Sequence, residues 1–252
     1  MFLRTENSVK EFIQSYPIIS TLVIINISIW ILGLLPITFF DRLYDLGVGS
    51  HFDIQNGEYW RFLTPIFLHG GFTHMLFNSF SLILFGPALE QMLGRLKFIL
   101  AYLGAGVLAN IATFLLNPDL GFAHVGASGA IYGLFGIYVF MVVFRKHLID
   151  AQSAQIIVII FIIGLIMTFI RPGINEYGHV LGFVSGFVIA PLLLTKARPF
   201  NPWKNPHSNG PKDIQFNPNR WKKKNFFQRL RLNPFFIFFI IVLIIFIVQN
   251  FF

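Results

Sequence analysis

Cysteine is absent from this chain of 252 residues, and charged residues are scarce. Without cysteine the chain can form no disulfide, use no thiol in catalysis and offer no thiolate to a metal ion. Its histidines do not show the H-E-x-x-H spacing of a zinc protease. Charged residues make up 12% of the chain, whereas soluble domains carry about 25%. The composition therefore argues against a soluble protein.

The few charges are clustered, so that long apolar stretches carry none. A transmembrane helix needs about 20 residues, and each stretch can hold one. The sequence therefore predicts an all-α membrane protein with seven helices. The charge-free stretches are 12–40, 62–89, 98–118, 120–144, 151–170, 177–195 and 232–252.

The predicted organisation is a six-helix core over 17–195 followed by one appended helix over 234–252. Residues 1–16 do not resemble a cleavable signal peptide, because the following apolar run is long and has no small-residue cleavage site. Residues 196–233 are rich in proline and asparagine, as a linker is. The six core helices are predicted at about 17–40, 66–93, 98–116, 126–144, 153–170 and 178–195.

The distribution of basic residues predicts the orientation. With the N-terminus in the cytoplasm, 16 of the 19 lysines and arginines fall inside, as the positive-inside rule requires. Most of them belong to 196–233, which we interpret as a site of attraction for anionic lipid, at about 1 kcal/mol per charge. Nucleic-acid binding is the other interpretation of a basic run. It is disfavoured because both ends of this segment adjoin predicted membrane helices.

One hydroxyl, that of Ser128, lies among glycines and alanines in "GASGAIYG", which begins at Gly126. The fourth helix is predicted to descend from the outside, which puts Ser128 at its N-terminal end. Free backbone N–H groups and the positive end of the helix dipole meet there, and they suit a developing oxyanion. Glycines at this spacing are also typical of close helix packing. Taken alone, the motif favours packing.

Two further sets of polar residues lie near the start of predicted helices that descend from the same side. His179 precedes Gly182 and Gly186 on one face of the sixth helix. His74 and Asn78, at i and i+4, share a face of the second helix. Taken alone, His179 could be an interfacial histidine, and the other pair could form an interhelical hydrogen bond.

Together, the three sets bring a hydroxyl, a base and oxyanion donors to one depth. Polar groups in lipid are costly, so each needs a partner or a role, and this combination meets the requirements of a serine hydrolase. Glu176, three residues before His179, is predicted to lie in a loop and is a weak third member, so the sequence predicts a Ser–His dyad. Glu90 is interpreted as structural, bonded to backbone or paired with Arg95.

These residues resemble the rhomboid family of intramembrane serine proteases. The motifs are "WR" at Trp60 and Arg61, "HMLFN" at 74–78, "GASG" at 126–129 and "HVLGFVSG" at 179–186. Their order, spacing and helix placement agree with the family over roughly residues 17–195. The appended helix is similar to the family's six-plus-one variants.

The resemblance implies a role for each catalytic candidate. Ser128 would be the nucleophile, and His179 would be its general base. Asn78, His74 and the Ser128 backbone N–H would bind the oxyanion. Tyr132, one turn after Ser128, would pack on the His179 ring and orient it.

The resemblance also implies supporting roles and no metal or cofactor. Gly126 would let the substrate backbone approach, Trp60 and Arg61 would brace the first outer loop, and Glu90 would be structural. The glycines that follow His179 would allow close helix contact.

The implied function is hydrolysis of peptide bonds in or near the membrane segments of single-pass proteins. We expect a bacterial plasma membrane, a cytoplasmic N-terminus and an active site that opens to the extracytoplasmic side. The alternative is a catalytically silent rhomboid-like protein that binds transmembrane clients. A small transporter is disfavoured, because the sequence shows neither internal repeats nor charges along a pathway.

Overall fold

A computed structural model describes residue 6, residues 8–171 and residues 173–201. The described residues from Tyr16 onward form one compact unit, whereas the helix α1 (Val9–Ser15) belongs to a second unit. The predicted seventh helix and most of the predicted linker lie outside the described residues. The helices that follow α1 are α2 (Pro17–Leu32), α3 (Thr38–Gly47), α4 (His51–Gln55), α5 (Phe72–Leu93), α6 (Arg95–Leu116), α7 (Ser128–Phe144), α8 (Ala151–Ile170) and α9 (Glu176–Leu193).

Helix length and hydropathy identify the chain as an all-α, multi-pass membrane protein. Within the described residues, α5, α6, α8 and α9 with the turn that follows it are long and apolar enough to cross a membrane. The apolar helix α7 has 17 residues and α2 has 16. At 1.5 Å per residue both are shorter than a hydrocarbon core of about 30 Å.

The first core helix ends earlier than predicted. It stops at Leu32 and not near residue 40, with Gly33 at its C-cap. Pro36 follows, and the residue before a proline is driven out of the helical region. The chain then begins a separate helix, α3, at Thr38. The prediction of one helix over 17–40 is therefore wrong in its last eight residues.

The segment between the first two predicted core helices, 41–64, is largely helical. It contains the end of α3, all of α4 and a short 3-10 helix at Tyr59–Phe62. The apolar side chains of Phe39, Leu43 and Leu46 are exposed on α3, as on a helix that lies in a membrane interface. We therefore expect this segment to lie in the membrane interface.

Glu90 closes the N-terminal end of α2. Its carboxylate is buried and accepts hydrogen bonds from the backbone N–H groups of Ile18 and Ile19, at 3.0 and 2.9 Å. The first amides of a helix have no partner within the helix and carry its positive dipole end, so a carboxylate stabilises them. Of the two partners considered from the sequence, the backbone is the one to which Glu90 bonds.

Helices α7 and α9 are in backbone contact along a glycine seam. A Cβ atom on Gly182 would overlap the carbonyl oxygen of Gly129, and one on Gly186 would overlap that of Gly133. Such spacing lets backbones approach more closely than any larger side chain allows. The small-residue faces expected from the sequence therefore meet. The seam consists of Gly129, Gly133 and Gly136 on α7 and Gly178, Gly182 and Gly186 on α9.

Candidate active site

Ser128 is the first residue of α7. The N-cap position is occupied by Ala127, which offers no side-chain hydrogen bond to the first turn. The amides at this helix end therefore have no side-chain cap, and the positive end of the helix dipole lies beside the serine. The Ser128 side chain is only partly buried. The hydroxyl thus lies where backbone donors and access from outside the fold coincide.

Gly126 brings His74 close to Ser128. Its φ of +134° is rarely adopted by residues with side chains. A Cβ atom built there would lie 2.7 Å from His74 Nε2 and 3.6 Å from Ser128 Oγ. The imidazole and the hydroxyl therefore lie around the same point, which only glycine leaves open. The Gly126 N–H donates to the carbonyl oxygen of Pro65 at 2.8 Å, which fixes the loop.

Asn78 supplies a buried amide nitrogen, Nδ2, that has no hydrogen-bond partner among the described residues. It follows His74 by one turn of α5, and its side chain is 6% exposed. An unpaired buried donor costs about 1–3 kcal/mol, and an oxyanion site requires a donor that is free before charge develops. The side chain is therefore available to such a site.

The His179 ring is buried and held on two sides. It stacks on the Tyr132 ring, with centroids 4.1 Å apart and planes at 14°. Its Nδ1 lies 2.7 Å from Thr168 Oγ1. The predicted ring contact with Tyr132 is thus present. In the described part of the chain no hydrogen bond joins His179 to Ser128, and such bonds often tighten only when substrate binds.

The sequence prediction missed Thr168 and placed Glu176 incorrectly. Glu176 is the first residue of α9, not a loop residue, and its side chain is exposed. Thr168 occupies the position beside His179 Nδ1 that a third catalytic residue would take. The available signal was that Thr168 is the one polar side chain in the apolar run 156–170.

Trp60 and Arg61 hold the segment 41–64 together. The buried Arg61 donates from Nε to Glu58 at 2.6 Å and from Nη1 to the Val48 carbonyl oxygen at 2.8 Å. Trp60 donates from Nε1 to the Leu46 carbonyl oxygen at 3.1 Å. These bonds tie the end of α3 to the residues that precede α5. The contacts are those of a structural brace.

Comparison with known families identifies the fold around this site. The family model described as "Rhomboid domain" matches residues 56–196, which include every site residue described above. This chain belongs to the rhomboid family. The resemblance of its motifs to that family is therefore confirmed.

Relatives within the family come from bacteria and eukaryotes. The chain is 43% identical over 196 residues to "Putative rhomboid protease YdcA" of Bacillus subtilis (strain 168), covering 78% of this chain and 98% of that protein. It is 37% identical over 161 residues to "Rhomboid protease GluP" of the same strain, covering 64% of this chain and 31% of GluP. It is 31% identical over 160 residues to "RHOMBOID-like protein 4" of Arabidopsis thaliana, covering 63% of this chain and 39% of that protein.

Within the rhomboid domain, the segment before Ser128 is tied to its surroundings at several points. Strand β2 (Ala123–His124) pairs antiparallel with β1 (Gly49–Ser50). His124 Nε2 donates to Asn110 Oδ1 at 3.1 Å, and Asn110 Nδ2 donates to the Phe62 carbonyl oxygen at 2.9 Å. One side chain of α6 thereby links the segment 41–64 to the strand that precedes the serine.

The stability of this rhomboid should fall in acid because of His124. Burial, together with the neighbouring His51, lowers the pKa of His124 from 6.5 to about 4. Above pH 6.5 the ring is neutral in the folded and unfolded states. Below that pH the unfolded state binds the proton first, so stability is lost as the pH falls towards 4. At pH 4.5 we expect a loss on the order of 2 kcal/mol.

This acid sensitivity can be measured by unfolding the protein in mixed micelles at pH 7.5 and at pH 4.5. The His124→Gln variant keeps a hydrogen-bond donor and lacks the titrating ring. Its free energy of unfolding should change less between the two pH values than that of the wild type. Equal changes in the two proteins would show that His124 is not the titrating group.

Proposed function

We propose that this rhomboid cleaves peptide bonds in or near transmembrane segments, with Ser128 as nucleophile and His179 as general base. The class of enzyme follows from the family, in which relatives at 43% and 37% identity are named rhomboid proteases. The chain is an intramembrane serine protease. The assignment of the two residues is carried by the stacking of His179 on Tyr132, because Tyr132 lies one helical turn from Ser128.

In the proposed reaction Ser128 Oγ attacks the scissile carbonyl carbon while His179 Nε2 accepts the hydroxyl proton. The carbonyl oxygen becomes an oxyanion. Asn78 Nδ2, His74 and the Ser128 backbone N–H donate hydrogen bonds to it. The C–N bond then breaks, and His179 returns the proton to the leaving amine. Water hydrolyses the acyl-enzyme by the same route.

The proposed substrates are single-pass membrane proteins, and the proposed location is a bacterial plasma membrane. The Bacillus relatives support this location. The distribution of lysine and arginine supports a cytoplasmic N-terminus and an active site that opens to the extracytoplasmic side. Lipid attraction by the basic segment 196–233 belongs to the same proposal, and nearly all of that segment lies outside the described residues.

A fluorophosphonate probe tests the proposed nucleophile directly. Such a probe phosphonylates an activated serine with release of fluoride, so we expect covalent labelling of the wild type in membranes and complete loss in Ser128→Ala and His179→Ala. Ser20→Ala is the matched control, because Ser20 is a buried helical serine whose hydroxyl donates to the Tyr16 carbonyl oxygen at 2.8 Å. Its labelling should equal that of the wild type.

The opposite result would favour the silent rhomboid that only binds clients. In that case the folded wild type would neither label nor cleave a reporter segment, and replacing Ser128 would leave client binding unchanged. Labelling that persists in Ser128→Ala would instead assign the nucleophile to another residue.

A further inference from the structure

We infer that Thr168 of α8 is a positioning residue that keeps the His179 proton on Nδ1 and leaves Nε2 free to act as the base. This inference rests on the proposed function of Ser128 and His179. It adds to the dyad a hydroxyl carried by a different helix.

Three short contacts converge on the Thr168 hydroxyl. Its Oγ1 lies 2.9 Å from the Gly164 carbonyl oxygen, 2.7 Å from His179 Nδ1 and 3.1 Å from the Tyr132 hydroxyl oxygen. A hydroxyl group has one proton to donate and two lone pairs to accept hydrogen bonds. Three partners therefore use its whole hydrogen-bonding capacity.

Counting protons decides the direction of each bond. The Gly164 carbonyl oxygen can only accept, so the Thr168 proton satisfies that contact. His179 Nδ1 and the Tyr132 hydroxyl must then donate to the two lone pairs of Thr168. If Thr168 donated to His179 instead, two oxygens would face each other at 2.9 Å with no proton between them.

The tautomer follows from this arrangement. A neutral imidazole carries one N–H, and here that proton belongs to Nδ1. The lone pair therefore lies on Nε2, the nitrogen that must accept the proton from Ser128. Stacking on Tyr132 fixes the plane of the ring, and the bond to Thr168 fixes its rotation within that plane.

Helix α8 turns this hydroxyl inward although most of the helix is exposed. Thr168 is 3% exposed, while its neighbours Met167 and Phe169 are 48% and 62% exposed. Thr168 is also the one polar side chain in 156–170. A threonine in an apolar helix needs nothing more than the bond to its own i−4 carbonyl, so burial against His179 is an additional feature of this position.

Gly164 makes room for the third member of the group. It is the sole glycine in α8, and a Cβ atom there would lie 2.8 Å from the Tyr132 hydroxyl oxygen. A larger residue would displace the hydroxyl that reaches Thr168. The glycine and the threonine, four residues apart on one face of α8, thus receive Tyr132 together.

Kinetics of Thr168→Val and Thr168→Ser in the full chain test this inference. Valine keeps the shape and removes the hydroxyl, so we expect kcat to fall about 10- to 100-fold with KM nearly unchanged. Serine keeps the hydroxyl, and its kcat should stay close to that of the wild type. Thr113→Val is the matched control, because Thr113 is fully buried and makes the same i−4 bond, at 2.8 Å, in α6.

Histidine ¹⁵N NMR of the membrane-embedded protein above pH 8 reads the tautomer without relying on activity. The His179 signals, assigned by their loss in His179→Ala, should show protonated Nδ1 in the wild type and in Thr168→Ser. Thr168→Val should show a mixture of the two tautomers. Thr113→Val should match the wild type.

Two results would overturn the inference. One is a folded Thr168→Val protein with wild-type kcat and an unchanged His179 tautomer. The other is a folded Thr168→Ser protein as impaired as Thr168→Val, which would assign the effect to packing. If Ser128→Ala cleaves as the wild type does, the proposed function fails, and the NMR comparison still decides whether Thr168 sets the tautomer.

Discussion

Ser128→Ala is expected to lower the rate of cleavage of a reporter transmembrane substrate by more than about 10⁴-fold, and His179→Ala should do the same. Without the hydroxyl no acyl-enzyme can form. Without the imidazole no group accepts the hydroxyl proton as the C–O bond forms. Both variants should retain the fold, since neither residue belongs to the glycine seam. The measurement is release of a labelled fragment from substrate and enzyme reconstituted in the same vesicles.

The double variant makes this prediction sharper. Residues that act as a unit are strongly non-additive, so the Ser128→Ala and His179→Ala double variant should cleave no more slowly than either single variant. Ser20→Ala should cleave at the wild-type rate. A double variant that is much slower than both single variants would mean that the two residues act in separate steps.

Gly182→Ala is expected to remove most of the activity without touching a reacting atom. The new Cβ would overlap the Gly129 carbonyl oxygen, so α7 and α9 must move apart. Overpacking of this kind typically costs about 1–3 kcal/mol. A displacement of His179 from Ser128 by about 1 Å can cost roughly 10²-fold in rate. Thermal unfolding in detergent and the vesicle cleavage assay measure the two effects.

Gly104→Ala is the control for the seam. Gly104 also lies within a helix, but a Cβ atom there would meet nothing within 4 Å. Its stability should be unchanged or slightly higher, because alanine favours helix more than glycine does. Equal stability and activity in Gly182→Ala and Gly104→Ala would show that backbone contact between α7 and α9 is not needed for cleavage.

The sequence located α6 to α9 within two or three residues, because charge-free runs mark where the chain can enter lipid. It did not locate their first residues, because those depend on caps. Asp150 accepts from the Ser153 N–H and Asn175 from the Gly178 N–H, each at 2.8 Å. Each cap starts its helix two residues before the predicted position.

The short helices within 41–64 could not be predicted from local pattern. They are held by bonds from Arg61 to groups elsewhere in the segment, such as the Val48 carbonyl oxygen. Contacts between residues far apart in the segment cannot be predicted from a pattern that repeats over a few residues. The early end of α2 is a different case, because Gly33 and Pro36 are local signals that the prediction of one helix over 17–40 did not use.

The candidate site likewise contains residues that the sequence indicated and one residue that it did not. Ser128, His179, His74 and Asn78 could be proposed as candidates because their spacing is local to single helices and resembles a known family. Thr168 was missed, because its i−4 bond is the same as that of Thr113. Only the packing of α8 against α7 and α9 decides which threonine meets a histidine.

The loop that carries Gly126 is fastened before any substrate arrives. The Gly126 N–H donates to the Pro65 carbonyl oxygen, and strand β2, which precedes the loop, pairs with β1. His124 bonds to Asn110. The conformational entropy of this loop is therefore lost during folding. Its ordering does not weaken the binding of substrate. A preorganised serine of this kind should react with small soluble acylating agents that contain no helix, and long substrate segments would serve recognition and not assembly of the site.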